Sequence, residues 1–287
     1  MKKFTWILIF LPFAAFMQET NETPKLTFKS ISILGGASDY NTVSSLSDFK
    51  KLATESQFVN TDFSAFGSGK NREKDANFTT VYFNFSLNSD KKFFASSEQS
   101  LRFGISFGES TPLSKSYSNK ENYRVDTLVS NQNGDEVFID SIHQEHYRFK
   151  YNQQQVYLSS AYLIHTNSGS RFSFYAGLEM GFGVTLNANT EISYSAYNYI
   201  ENYYNKGAKD SKEYVRKTES FRNKSSFMAL ASIPLGIDFR FGNRRAFWKR
   251  LHLIAEYRPS IYFVSIPEIG TISGTSYIGS GGLRFDF

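Results

Sequence analysis

Ten ionisable side chains fall at alternate positions of extended segments: Arg102, Arg171, Glu179, Asp238, Arg240, His252, Glu256, Arg258, Arg284 and Asp286. Residues spaced by two share one face of a strand. Both signs are present, so one chemistry open to such a set is mutual neutralisation in a low-dielectric interior. A second is acid–base or metal work by histidine. There are four histidines. His143 and His146 stand near Asp140, Ser141 and Glu145, but a three-residue spacing suits a helix face better than a strand face. His252 alternates with the charged set, and His165 sits at a predicted turn. No Gly-rich phosphate loop, zinc signature or nucleophile elbow is present. The sequence thus predicts no catalytic, metal or cofactor residues.

Eight extended segments must position these groups. In the clearest, Phe172, Phe174, Ala176, Leu178, Met180, Phe182, Val184 and Leu186 share one face, while Arg171, Ser173, Tyr175, Gly177 and Glu179 share the other. Residues 227–241 place Phe227, Ile233, Leu235, Ile237 and Phe241 opposite Asp238 and Arg240, with Pro234 on the polar side suggesting a bulge. Residues 251–263 set Leu253, Tyr257 and Ile261 against His252, Glu256 and Arg258. Residues 277–287 set Tyr277, Leu283, Phe285 and Phe287 against Arg284 and Asp286, with Ile278 an apolar exception. Weaker versions run through 81–87, 101–107, 155–165 and 27–36, the last changing phase near Ser30. A face this oily over sixteen residues has no partner in a soluble sandwich. It has one in lipid, where spanning sheets must close.

The expected fold is an all-β, antiparallel, up-and-down transmembrane barrel of eight strands spanning 27–287, with ten strands if loop hairpins also span. An even count puts both barrel termini on one side. Connections 88–100, 166–170 and 242–249 are then periplasmic. Connections 37–78, 109–147, 187–225 and 265–274 are extracellular, and three are long. Residues 45–57 carry Leu46, Phe49, Leu52 and Ala53 at helical spacing. Asn131-Gln132-Asn133-Gly134 reads as a hairpin turn that lets the flanking strands protrude. Tyr194, Tyr197, Tyr199, Tyr203, Tyr204 and Tyr214 give one loop the composition of a contact surface. Glu179, Glu256 and Arg258 are expected near mid-height. Asp238, Arg240, Arg284 and Asp286 are expected near the periplasmic end, with Arg102 completing a salt-bridged plug.

Composition bounds the compartment. Residues 1–17 have two lysines, about a dozen apolar residues and small Ala14 and Ala15, the layout of a secretory signal peptide cleaved within about 14–18; 18–26 form a lead-in. No cysteine is present, so neither disulfides nor lipid attachment at a cysteine arises. Net charge is +5, and +3 without Lys2 and Lys3, too little to argue for nucleic acid. Aromatic residues make up 17% of the chain, enough to supply belts at two lipid–water interfaces.

The end of the chain resembles the C-terminal recognition signal of bacterial outer-membrane proteins, with Ser280, Gly282, Phe285 and Phe287 in the characteristic places. The mature chain is similar to small outer-membrane barrels of the OmpA/OmpX/OmpW kind and to PorT-like barrels of the Bacteroidetes type. The resemblance implies an outer-membrane location with periplasmic termini, and delivery by periplasmic chaperones to the barrel-assembly machinery. It also implies contact with outer-membrane lipid and lipopolysaccharide. The resulting expectation is a non-enzymatic barrel with a filled lumen whose extracellular loops bind a surface protein or glycan. A narrow channel for small or hydrophobic solutes is the alternative, and a surface lipid or peptide hydrolase is a third reading.

Overall fold

The computed structural model describes residues 25–41, 44–69, 76–88, 97–129, 136–167, 170–202, 210–242 and 244–287. The expected signal peptide, most of the lead-in, the Asn131–Gly134 turn, Tyr203 and Tyr204 lie outside the described residues. The strands are β1 Lys25–Asn41, β2 Gly67–Gly69, β3 Ala76–Asn88, β4 Glu98–Val129, β5 Glu136–His165, β6 Phe172–Asn202, β7 Asp210–Asn223, β8 Phe227–Ser232, β9 Leu235–Arg240, β10 Leu251–Ile266 and β11 Gly270–Asp286. Short helices α1 Leu46–Leu52 and α2 Ala246–Arg250 complete the set, with a 3-10 turn at Phe58–Asn60.

Every neighbouring pair is antiparallel, and the order β1-β3-β4-β5-β6-β8/β9-β10-β11 returns to β1. The ring has eight members because β8 and β9 are halves of one strand. Ser232 faces Glu179 and Ser260, and Leu235 faces Ala176 and Tyr257. Three residues therefore advance on each strand across Pro234, and no bulge forms. The proline's carbonyl still accepts from the Gly177 amide at 3.1 Å. The alternative of ten spanning strands is corrected: among the described residues β7 pairs only with β6, and β2 branches from β4.

The outward face matches the alternation. Phe172, Phe174, Leu178, Ile105, Ile233, Ile261 and Leu283 are exposed, each by about half. From Phe172 to Leu186 this face runs ~45 Å along the strand, or ~35 Å along an axis tilted by ~40°. An apolar belt of that height around a whole molecule is far larger than water-exposed surfaces carry. It suits hydrocarbon flanked by interfacial rings. The phase change near Ser30 also has a cause. Lys29 is an extra residue in β1 relative to β3, so the exposed set moves from Leu26 and Phe28 to Ile33.

At the end of the ring holding Lys25 and Phe287, connections are short, at 89–97, 166–171 and 241–250. At the opposite, far end, β4, β5, β6 and β7 continue as a tall sheet, β4 and β5 staying paired from Glu98–His165 to Val129–Glu136. Within the connection at 109–147 the expected protruding ribbon is present as the paired far ends of β4 and β5, whereas the expected loop at 187–225 is corrected: most of its residues are strand. One extra residue in β4 near Thr111–Pro112 and another at Leu186 of β6 lie against Gln153–Gln155 of β5. In β6 this moves the buried set from Glu179 and Thr185 to Ala188, Thr190 and Ile192. The bulges mark where ring gives way to protruding sheet.

Candidate functional site

Two layers of side chains fill the molecule, and they differ in chemistry. The first lies inside the ring. Arg102 from β4 meets Glu179 of β6 at 2.7 Å and Glu256 of β10 at 2.5 Å. Arg258 meets Glu179 at 3.0 Å and Glu256 at 3.2 Å. Two guanidinium and two carboxylate groups form a neutral square, each side chain at most 4% exposed. Tyr175 donates to Glu256 at 2.7 Å, and Arg258 donates to the Tyr82 hydroxyl at 2.6 Å. Arg102 also lies over the Tyr82 ring, 4.1 Å from its centre. Burying such charges is costly unless each is paired and its remaining hydrogen-bonding sites are satisfied, and the two tyrosines contribute to that.

Space for those rings comes from glycine. Tyr82 faces Gly104 across β3–β4, and Tyr175 faces Gly236 across β6–β9. A Cβ on Gly104 would lie 2.5 Å from the Tyr82 ring, and one on Gly236 would overlap the Tyr175 ring. A large residue opposite a glycine is how a narrow barrel fills itself without voids.

A second charged group sits toward the end with the short connections. His252 and Asp238 are 2.7 Å apart, Arg284 pairs with Asp238, and Arg284 meets Asp286 at 2.7 Å. Asp286 is 3.6 Å from the far nitrogen of His252 and is partly exposed. Arg240 is half-buried beside this group. Arg171 is corrected. It precedes β6 in a bend, is exposed, and its guanidinium lies 5.1 Å from the Phe239 ring centre. The strand alternation was extended one residue too far, past the rim. His165 ends β5 with its ring inside, 3.0 Å from the Ser100 hydroxyl and against Tyr175.

The other layer is apolar and closes the far mouth. Phe49 and Leu52 of α1 and Ala53 just after it, together with Val59, pack with Leu113, Phe149, Tyr151 and Ile192 of the sheet. The same core reaches Met228, Leu230, Tyr262 and Ile278 on the upper ring. A capping box with Ser45 and Asp48 starts α1, satisfying free amides at its first turn. Asn223 holds the α1 end by donating to the Leu52 carbonyl at 2.8 Å, Ser44 donates to the Ser114 carbonyl at 2.7 Å, and Ser56 pairs with Glu219. Between the layers lies a cavity of about 50 Å³ lined by Tyr40, Phe78, Tyr157, Arg258 and Ile278 among others, room for one or two waters.

The tyrosines of the long connection divide. Tyr194 packs on the apolar core and donates to Glu145 at 2.7 Å. Burial and that carboxylate hold its hydroxyl well above the usual tyrosine range. Tyr199 is buried and faces Ile142 across the strands. Tyr197 packs against Tyr214 with ring centres 5.1 Å apart and planes tilted by 41°, and Tyr214 is 55% exposed. Tyr123 and Val125 are also exposed. Among the histidines considered for catalysis, His143 contacts Asn198 at 2.5 Å and lies 4.0 Å from Glu145. His146 is the third residue along, so it falls on the other face of β5. At the chain end, Ser280 faces Glu256 and Gly36, and a Cβ on Gly282 would press to 2.7 Å from the Leu34 Cα. Phe285 and Phe287 pack ring to ring at 5.4 Å, and Phe287 touches Phe28 at 5.3 Å.

No family model matches the chain, and no curated protein matches it. Among solved structures, the chain is similar to Ail, the attachment invasion locus protein of Yersinia pestis, at 13% identity and a TM-score of 0.27, covering 90% of this chain and 99% of that one. Ail in complex with the heparin analogue sucrose octasulfate aligns at 11% identity and 0.21, with the same coverage. OmpT, an outer membrane protein of Vibrio cholerae, aligns at 7% identity and 0.15, covering 94% of this chain and 99% of that chain. These likenesses are distant. The fold rests on the closed strand pairing.

Proposed function

We propose that this chain is a non-enzymatic outer-membrane β-barrel whose filled lumen is a structural strut and whose protruding sheet binds a partner outside the cell. The observation that carries the reading is the closure of both lumen and mouth: a neutral charge square below, an apolar cap above, and about 50 Å³ between them. Such an interior supports the wall; the small cavity shares Ala76, Asn77 and Glu109 with a polar cleft of about 370 Å³ that is also lined by Gln153 and Asn187, and the charge square lies below both. In this reading the far end faces outward and both ends of the barrel chain face the periplasm. Ser280, Gly282, Phe285 and Phe287 form the signal read by the assembly machinery.

The binding surface is the tall sheet. Among the described residues its outermost strand β7 pairs only with β6, and β4 beyond Asn119 pairs only with β5. Exposed Tyr123, Val125 and Tyr214 sit on these edge strands. Open edges and exposed tyrosines favour a protein or glycan ligand. Site-specific photo-crosslinking in intact cells tests the assignment. A crosslinker at Tyr214 is expected to capture a non-lipid partner, and one at Ile33 to capture lipid. Lipid adducts at Tyr214, or none at both positions, would overturn it.

A further inference from the structure

One connection does not fit a passive turn. Between β9 and β10, Arg244, Arg245, Lys249 and Arg250 surround Phe247 and Trp248, and all six are exposed. Backbone bonds from Gly242 to Trp248, Phe241 to Leu251 and Lys249 to Arg245 hold this turn, each at 3.1 Å. Gly242 is needed for it: a Cβ there would lie 2.8 Å from that of Trp248. Phe247 and Trp248 continue the apolar belt, contacting Phe285 and Phe241 at 6.3 and 6.1 Å between ring centres. Arg171 stands on the same rim, over Phe239. Aromatic rings at a barrel edge settle at headgroup depth, and cations beside them face lipid phosphates.

We propose that this turn is a binding site for anionic phospholipid headgroups of the leaflet next to the short connections. The rings set the depth and Arg244, Arg245, Lys249 and Arg250 gather phosphate. Charge complementarity and continuity with the lipid-facing belt select this occupant over a soluble acidic protein. The leaflet assignment rests on the orientation proposed above.

Trp248 itself is the reporter, since the only other tryptophan is Trp6. The full chain carrying Trp6→Phe is refolded into phosphatidylcholine vesicles containing a minor fraction of phosphatidylglycerol, with one or the other lipid brominated. Brominated phosphatidylglycerol is expected to quench Trp248 as though enriched about fivefold over its bulk share, and the enrichment is expected to shrink in high salt. Replacing the four cations by Gln should abolish the preference while leaving quenching by brominated phosphatidylcholine intact. Free inorganic phosphate should not compete. Quenching by brominated phosphatidylglycerol no greater than its bulk share, or competition by phosphate, would overturn the headgroup site while leaving the membrane barrel standing. Quenching by neither would overturn both.

Discussion

Glu256→Gln tests the charged square most sharply. Glu256 touches Arg102, Arg258 and Tyr175 at 2.5, 3.2 and 2.7 Å, with its own side chain fully buried. Its removal leaves two guanidinium groups facing Glu179 alone. Breaking a buried pair from one side costs ~3–5 kcal/mol, and the amide oxygen recovers part of this by still accepting hydrogen bonds, so the expected loss is roughly 3 kcal/mol. The double variant Arg102→Met/Glu256→Gln restores neutrality, because Arg258 and Glu179 remain paired at 3.0 Å. It is expected within ~1–2 kcal/mol of the parent, since replacing a whole buried pair is often nearly neutral. The assay is denaturant unfolding of protein refolded in lipid vesicles, read by heat-modifiable gel migration. A single variant as stable as the parent, or a double variant worse than the single, would refute the claim that these charges sit in a dry lumen.

Four further outcomes follow from the same structure. Phe49→Ala removes a fully buried ring from the cap, and it should cost ~3–5 kcal/mol of cap stability; limited proteolysis should then cut near α1 while the barrel stays heat-modifiable. Gly236→Val drives a side chain into the Tyr175 ring and should lower refolding yield, whereas Gly279→Val, with open space around it, should not. His146, in the protruding sheet, is held below the usual histidine range by burial and then by Arg148. Its neutral form therefore favours folding above its unfolded value of ~6.5, and that contribution is lost progressively as pH falls from there through the lower folded value. The protection factors of β5 amides, corrected for the pH dependence of intrinsic exchange, should fall below about pH 6, and His146→Gln should flatten the response. Deleting Phe287 should slow assembly in cells but cost the folded barrel ~2 kcal/mol at most, the worth of one partly exposed ring.

The ring was legible in the sequence because one solvent on each face enforces strict alternation. Residues 172–186 show it without a break. From Lys120 outward both faces of β4 are exposed, and Lys120-Glu121-Asn122-Tyr123-Arg124 has no alternation to read. The tall sheet was therefore visible only through its hairpin turn. Helix α1 was legible from Leu46, Phe49 and Leu52, but its target was not, since the cap gathers residues from many separate elements. Alternation alone puts Tyr175, and Tyr82 between Val81 and Phe83, on the polar face and gives neither a role. The signal that could have found them is a glycine opposite each ring, and that pairing exists only once register is known. His252 and Asp238 were read to the same face and end, but their contact needed the β9–β10 register. Tyr194 and Tyr199 read as contact residues from composition alone, which cannot tell an inward tyrosine from an outward one.

Single-channel recording from the refolded full chain in planar bilayers tests the central claim most directly. A lumen filled by the Arg102–Glu179–Arg258–Glu256 square under the α1 cap predicts a silent baseline, with no stable conducting level at any applied voltage. A steady ion current from the unmodified protein, abolished by a lumen-blocking substitution such as Ser106→Trp, would contradict the account.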